Sequence, residues 1–183
     1  MESIVIETDW LGERIRTFRD LIPPHPRALF VGLNPSPVSL ARGHYHQGIL
    51  GQRMWRRLEN AGIIPSPPPR GFHDELLGEI GIGITDLVKR PSRRSDCLTP
   101  ADFAHGRSRL LALLDRLRPR LVCFIYKKAA EEALGRRLSP GAGLIGEHLC
   151  RAPLFLFPGP YAGDAAARSI LRQLRLMLIP PQS

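Results

Sequence analysis

Three short apolar runs constrain the fold of this chain more than any other feature. Residues 28–33, 121–126 and 153–157 are almost wholly apolar, and each lies close to one or more prolines. A strand on a half-solvated sheet alternates apolar and polar residues, whereas a strand covered on both faces gives a continuous apolar run. Segments with helical spacing lie between these runs. The sequence therefore predicts a three-layer α/β/α fold around a mostly parallel sheet of four or five strands.

The helices are indicated by their spacing and by their ends. Residues 52–61 carry apolar side chains at helical spacing and stop before Gly62. Thr99 is a favourable N-cap before Pro100, for a helix that has to end before Pro119. Further helices are predicted over residues 74–78, 127–137 and 164–178, and a further strand is predicted over residues 81–86.

The length and composition indicate one globular domain over residues 1–183. The chain is 43% hydrophobic and 23% charged, and no apolar run approaches the roughly 20 residues that span a bilayer. Its three cysteines are widely separated and odd in number, which argues against a disulfide framework or a zinc site. The acidic N-terminus lacks the pattern of a secretory signal. We expect a monomer in the cytoplasm, associated with the bacterial nucleoid.

The charge balance favours a polyanionic partner. The chain has 26 Lys and Arg against 17 Asp and Glu, which gives a net charge of +9 at pH 7. Such an excess is typical of proteins that bind nucleic acid. A surface of solvated arginines would give the same number, so the charge alone does not identify the partner.

Ligands of parallel α/β sheets bind at the carboxyl ends of the strands. Four stretches of this chain fall there. They are Asn34 and the residues after it, Thr85 with Asp86, Lys127 with Lys128, and residues 158–161. We therefore expect the chemistry of this protein at these positions.

Two of these stretches carry a family likeness. Residues 31–35 read Val-Gly-Leu-Asn-Pro and lead to Gly-His-Tyr-His at residues 43–46, and residues 83–92 read Gly-Ile-Thr-Asp-Leu-Val-Lys-Arg-Pro-Ser. In this order the blocks resemble those of the mismatch-specific uracil and thymine DNA glycosylases, a branch of the uracil-DNA glycosylase superfamily. The resemblance spans about residues 27–176. It implies an α/β fold without metal or organic cofactor, DNA as partner, and release of free uracil from a nucleotide rotated out of the helix.

The resemblance implies that Asn34 holds the attacking water. An amide can orient water but is a poor general base, so a second group is needed for fast turnover. Asp86 ends the neighbouring predicted strand, where a carboxylate can activate water or stabilise a cationic sugar. An aspartate in such a turn is more often a helix cap, so its catalytic role is a hypothesis.

The base-binding residues are expected in the segment after the first strand. His46 falls where relatives stack an aromatic ring on the base, and the adjacent Tyr45 is the alternative. The backbone around Gly32, Leu33 and Gly43 is expected to approach the base carbonyls, for which glycine leaves room.

The DNA contacts are expected on both sides of this site. Lys89, Arg90, Arg93 and Arg94 form a basic run that suits phosphates, with a solvated loop as the alternative. Lys127 and Lys128 open a helix, where an anion such as phosphate is favoured. 

Residues 158–163, Pro-Gly-Pro-Tyr-Ala-Gly, depart from the family pattern. There Pro160 and Tyr161 are expected to replace or stack on the displaced base, in single- or double-stranded DNA.

The sequence thus favours a monofunctional glycosylase that cleaves uracil from DNA. Other deaminated or mismatched bases stay open as further substrates. No lysine lies where it would attack the sugar. The main alternative is a module of the same fold that binds DNA lesions or abasic sites with little turnover. A flavodoxin-like nucleotide-binding protein is less favoured because the chain has no glycine-rich phosphate loop.

Overall fold

A five-stranded sheet forms the centre of the structure, a computed structural model that describes residues 3–178. In chain order the strands are Val5–Trp10 (β1), Glu13–Phe18 (β2), Ala28–Gly32 (β3), Ile82–Asp86 (β4), Leu121–Phe124 (β5), Gly143–Leu149 (β6) and Ala152–Leu156 (β7). The helices are Pro37–Arg42 (α1), Ile49–Asn60 (α2), His73–Leu76 (α3), Pro100–Leu117 (α4), Lys127–Leu134 (α5) and Asp164–Leu178 (α6).

The sheet has the order β4-β3-β5-β7-β6, and its first four strands are parallel. Strands β3, β4 and β5 are buried along their whole length. The continuous apolar sequences of β3 and β5 predict this burial. One face packs through Phe30 against Trp55 of α2, while the other packs through Leu29 and Val31 against α4 and α5. The predicted three-layer α/β/α class is confirmed.

Three strands, β1, β2 and β6, were missing from the sequence prediction. The hairpin of β1 and β2 is antiparallel, and most of its side chains are exposed or half-buried, so it lacks a strong apolar pattern. Trp10 anchors the hairpin, because its ring is buried and its Nε1 donates a hydrogen bond to Asp102 of α4 at 2.7 Å. The edge strand β6 is antiparallel to β7 and contains two glycines, which weaken the strand signal.

The helix ends follow local capping. Thr99 caps α4 as predicted. Its hydroxyl oxygen accepts from the backbone N–H of Asp102, and its own backbone N–H donates to the Asp102 carboxylate at 2.9 Å. The prediction for α5 was three residues too long, because Gly135 adopts a left-handed conformation and ends the helix. Within residues 3–178 no helix combines the length and hydropathy needed to cross a membrane.

Candidate active site

A cleft of about 570 Å³ opens at the carboxyl ends of β3 and β4. Gly32 and Asp86 are paired in register at the ends of these parallel strands. Asn34 therefore leaves β3 beside the carboxylate that ends β4, and both residues line the cleft. The remaining walls come from the turn before α2, from residues 92–95 and from side chains of β2 and the end of β5.

The Asp86 carboxylate is buried at this site without a hydrogen-bond partner. Its side chain is 1% exposed, and neither carboxylate oxygen is bonded to a described residue. Burial raises the pKa of Asp86 to about 7, an effect that Asp20 reinforces and that Lys89 and Arg109 oppose. A carboxyl group with a pKa in this range can accept and release a proton near neutral pH.

A buried ionic network beside Asp86 explains why the nearby cations do not neutralise it. Asp20 accepts from Lys89 Nζ at 2.5 Å and from Arg109 Nη1 at 2.9 Å. Thr85 Oγ1 also donates to Asp20, at 2.5 Å. Both cations are thus paired with Asp20, and Arg109 reaches Asp86 through its backbone carbonyl rather than its carboxylate. The Asp86 charge therefore lacks a direct counter-ion.

Gly32 lets Asp86 and His46 approach the same point of the backbone. A Cβ on Gly32 would lie 2.1 Å from Asp86 Oδ1 and 3.0 Å from His46 Cε1. His46 has a positive φ of 56°, and its Nε2 is buried without a described partner. Burial lowers the pKa of His46 to about 4, so the ring is neutral at pH 7. A neutral imidazole can donate or accept a hydrogen bond without bringing charge into the cleft.

Tyr45 and His46, the two candidates for the base-stacking ring, differ in how they are held. The Tyr45 ring is 1% exposed and packs on Phe18 at a centroid distance of 4.6 Å. Its hydroxyl already donates to the carbonyl of Arg19 at 3.0 Å. Tyr45 therefore supports the wall of the cleft, whereas the His46 ring keeps an unbonded nitrogen there.

The amide of Asn34 is held in one orientation. Its Nδ2 donates to Ser92 Oγ at 2.9 Å and to the carbonyl of Pro35 at 3.1 Å. Its Oδ1 receives no hydrogen bond from the described residues. An amide fixed in this way leaves a carbonyl oxygen that can accept a hydrogen bond from a water molecule.

Two aromatic residues of the cleft were missing from the sequence prediction. Tyr126 follows β5, and its ring lies 6.2 Å from the His46 ring. Burial, with the charge of Asp86, raises the pKa of Tyr126 to about 12, so its hydroxyl stays protonated. Its position at the carboxyl end of a predicted strand could have identified Tyr126 as a residue of the site. Phe18 comes from the hairpin, and nothing local in the sequence points to it.

Two of the predicted contact residues do not line the cleft in this structure. Gly43 ends α1 with a φ of 75°, its N–H donates to Leu40 at 3.2 Å, and it lines a separate cavity beside His44. Gly43 thus caps α1 outside the cleft. Lys89 is buried and bonded to Asp20 and to the carbonyl of Phe18, so its ammonium group is not available to a phosphate.

The other predicted cations differ in their surroundings. Arg90 is paired with Asp102 and Glu13, at 2.9 Å and 2.5 Å. The ammonium groups opening α5 are paired within the helix, Lys127 with Glu131 at 3.8 Å and Lys128 with Glu132 at 2.5 Å. The predicted cations that line the cleft are Arg93 and Arg94, which are both exposed.

Residues 158–163 form a loop that is tied to α2. Arg53 donates to the carbonyl of Pro160 at 2.8 Å. Arg57 donates to the carbonyl of Ala162 at 2.6 Å. Tyr161 lies between these two anchored residues, and its side chain is 83% exposed. The loop thus presents an aromatic ring to solvent from a fixed backbone.

The site combines a buried acid, an oriented amide and a neutral imidazole. These groups can position a water molecule, take a proton from it and hydrogen-bond a leaving group. Within residues 3–178, no three His, Cys, Asp or Glu side chains are grouped so that they could hold a metal ion.

The raised pKa of Asp86 predicts a pH-dependent effect of Asp86→Asn on stability. The ordinary pKa of 3.8 applies to the unfolded chain, so ionisation favours unfolding as the pH rises from about 4 to about 7. Above pH 7 both states are ionised and the effect is constant. We expect the stability advantage of the variant over wild type to grow by about 2 kcal/mol between pH 5.5 and pH 8.

Urea denaturation of both proteins at the two pH values measures this change. Asp115→Asn, at an exposed position of α4, is the matched control and should show no such growth. Parallel stability curves for Asp86→Asn and wild type would show that Asp86 has an ordinary pKa in the folded state.

The fold and the cleft define an α/β protein with a polar site, built around a buried carboxyl group, at the carboxyl edge of its sheet. The model of the uracil DNA glycosylase superfamily matches residues 19–176, and the chain belongs to this superfamily. This confirms the family identified from residues 31–46 and 83–92.

The chain is also similar to a G/U mismatch-specific uracil DNA glycosylase of Schizosaccharomyces pombe. The two are 30% identical over 121 residues, which are 66% of this chain and 37% of the relative. The match therefore covers little more than a third of the relative's length.

Proposed function

We propose that this protein is a monofunctional DNA glycosylase that hydrolyses the N-glycosidic bond of uracil in DNA. The observation that carries the proposal is the buried, unpartnered Asp86 carboxylate beside the oriented amide of Asn34. Membership of the superfamily and the similarity to the Schizosaccharomyces pombe glycosylase support DNA as the substrate.

The proposed reaction uses one water molecule. Cleavage of the bond between the sugar C1′ and the base nitrogen leaves its electron pair on the base and positive charge on the sugar. Asn34 Oδ1 accepts a hydrogen bond from one O–H group of the water and so aims the water oxygen at C1′. As the new C–O bond forms, the Asp86 carboxylate takes the other proton and later returns it to solvent.

The cleft also suits the departing base. An anionic pyrimidine needs hydrogen-bond donors and flat apolar walls. The unbonded Nε2 of His46 can donate to a base oxygen in the tautomer that carries its proton there. The rings of Tyr126 and Phe18 supply walls of the same cleft.

Incubation with end-labelled oligonucleotides tests the proposal. Enzyme in excess is mixed with single-stranded DNA containing one uracil, and with duplexes that place the uracil opposite G or A. Substrates with a T·G mismatch, hypoxanthine or no lesion complete the set. We expect alkali-labile sites at uracil, and no strand break before alkali treatment. Tight binding of lesion DNA without base release would contradict the glycosylase and support the lesion-binding module.

Tyr161→Ala tests the proposed role of the exposed ring. An aromatic side chain that fills the gap left by a flipped base stabilises the protein–DNA complex by about 1–3 kcal/mol per stacked base. We therefore expect uracil release from a duplex to fall by about 10-fold at subsaturating enzyme, with a smaller loss on single-stranded DNA. Tyr161→Phe retains the ring and is the control. An equal loss on both substrates would contradict a wedge.

A further inference from the structure

A second charged depression lies between α2 and α6. It has a volume of about 320 Å³, and its lining contains four arginines and a single carboxylate. The carboxylate, Asp164, pairs with Arg57 at 3.4 Å. The other three side chains, Arg168, Arg172 and Arg175, are exposed and make no ion pair with a described residue. We call this surface the arginine groove.

The spacing of the three unpaired arginines places like charges side by side. Positions separated by three or four residues share one face of a helix, and like charges at this spacing destabilise it by about 0.2–0.5 kcal/mol per pair. Some helical cations are compensated, as Lys128 is by Glu132, and others, such as Arg56 of α2 and Arg116 of α4, make no ion pair with a described residue, but α6 carries three such cations in one row. An uncompensated row of this kind is expected where an anion binds.

The arginine groove adjoins the candidate active site. Leu50 and Tyr126 line both the catalytic cleft and a narrow pocket beside Pro158. Arg57 and Leu171 line both that pocket and the arginine groove. The three depressions therefore form a row that runs from the cleft, past the loop of residues 158–163, to the exposed face of α6.

We propose that the arginine groove binds backbone phosphates of the DNA strand that carries the target base. The inference rests on the proposed function, because it takes DNA as the substrate. From Arg168 to Arg175 the helix rises by about 10 Å. A DNA strand carries one phosphate per about 3.4 Å of helix axis, so the row matches roughly three phosphates. Guanidinium groups suit phosphate because their paired N–H groups match its oxygens.

The state of the other cations strengthens this assignment. Lys89, Arg90, Lys127 and Lys128 were expected to hold the phosphates, but all four are paired with carboxylates. Arg93 and Arg94 border the cleft on one side. Of these two, Arg94 is paired with Asp96. The arginine groove supplies three unpaired cations on the side of the Tyr161 loop, where a strand leaving the cleft needs them.

The test compares two triple variants with the same change of charge. Arg168→Gln, Arg172→Gln and Arg175→Gln are combined in the first. The control combines Arg116→Gln, Arg118→Gln and Arg120→Gln. These residues lie at the end of α4 and just before the start of β5, whereas the cleft opens at the carboxyl ends of the strands. The dissociation constant for a uracil-containing single strand is measured over a range of salt concentrations, with wild-type base release as a separate measurement.

Each phosphate contact to single-stranded DNA contributes about 0.7 to the salt slope of log K. The slope of the groove variant should therefore be smaller than that of wild type by about 2, while the control variant keeps the wild-type slope. Equal slopes for the two variants would overturn the inference, even where wild type releases uracil. Loss of polyglutamate binding with an unchanged DNA slope would also overturn it, and would assign the groove to an acidic protein segment.

The exposed positions on α6 make retention of the fold the expected result for the groove variant, and a thermal melt checks it. If the triple variant does not fold, Arg172→Gln alone gives the same test with an expected slope change of about 0.7.

Discussion

Replacing Asp86 by asparagine should lower single-turnover uracil release by about 10²- to 10⁴-fold, with little change in DNA affinity. The variant keeps the size and shape of the side chain but cannot take a proton from water. Because no described residue bonds either carboxylate oxygen, the substitution breaks no existing hydrogen bond. The loss therefore falls on the chemical step rather than on the fold or on DNA binding.

The pH dependence of the wild-type single-turnover rate is an independent test of the role of Asp86. The ionised carboxylate is the active form, and burial raises its pKa to about 7. Single-turnover rates should consequently fall about tenfold per pH unit below pH 7 and level off above pH 8. Asp86→Asn should lose this dependence, whereas Asp115→Asn, an exposed change of the same type, should retain it. A wild-type rate in Asp86→Asn would remove Asp86 from the mechanism.

Gly32→Ala should lower the rate of uracil release by at least about 100-fold. The new Cβ would lie 2.1 Å from Asp86 Oδ1, closer than any two unbonded heavy atoms can approach, so the carboxylate has to move. A displacement of about 1 Å at a catalytic group can cost this factor. The His46 ring, 3.0 Å away, limits where the methyl group can go. Overpacking of this kind destabilises a fold by about 1–3 kcal/mol.

Gly48→Ala is the matched control for this effect. Gly48 also lines the cleft, but a Cβ there meets nothing within 4 Å, and its φ of −73° suits any residue. Its rate and its free energy of unfolding should stay close to those of wild type. A Gly32→Ala variant as active as Gly48→Ala would show that the position of the Asp86 carboxylate does not limit the reaction.

The sequence predicted the parts of the site that depend on strand ends. Asn34 and Asp86 could be placed together because neighbouring parallel strands finish at the same edge of the sheet. The choice between Tyr45 and His46 could not be made, since it depends on which ring contacts Phe18, a residue of a distant hairpin. The pairing of Lys89 could not be predicted for a similar reason. Its partner Asp20 is 69 residues earlier in the chain, and no local pattern shows that contact.

Ion pairing of the cations could not be predicted from the sequence either. Composition gives the net charge, but pairing in the folded chain decides which charges remain for a ligand. Arg90 lies in a basic stretch and is nevertheless compensated by Glu13 and Asp102. Arg172 lies in an ordinary amphipathic helix and has no ion-pair partner among the described residues.

The hairpin of β1 and β2 has a consequence for how substrate choice evolves. The family model matches from residue 19, so the hairpin precedes the part shared with the family. Even so, Phe18 forms part of the cleft wall, and Thr17 Oγ1 donates to the backbone carbonyl of Lys89 at 2.7 Å. In the proposed mechanism, the residues that activate water and the Phe18 wall of the cleft thus come from separate stretches of the chain. A substitution at Phe18 would reshape that wall while Asn34 and Asp86 stay untouched.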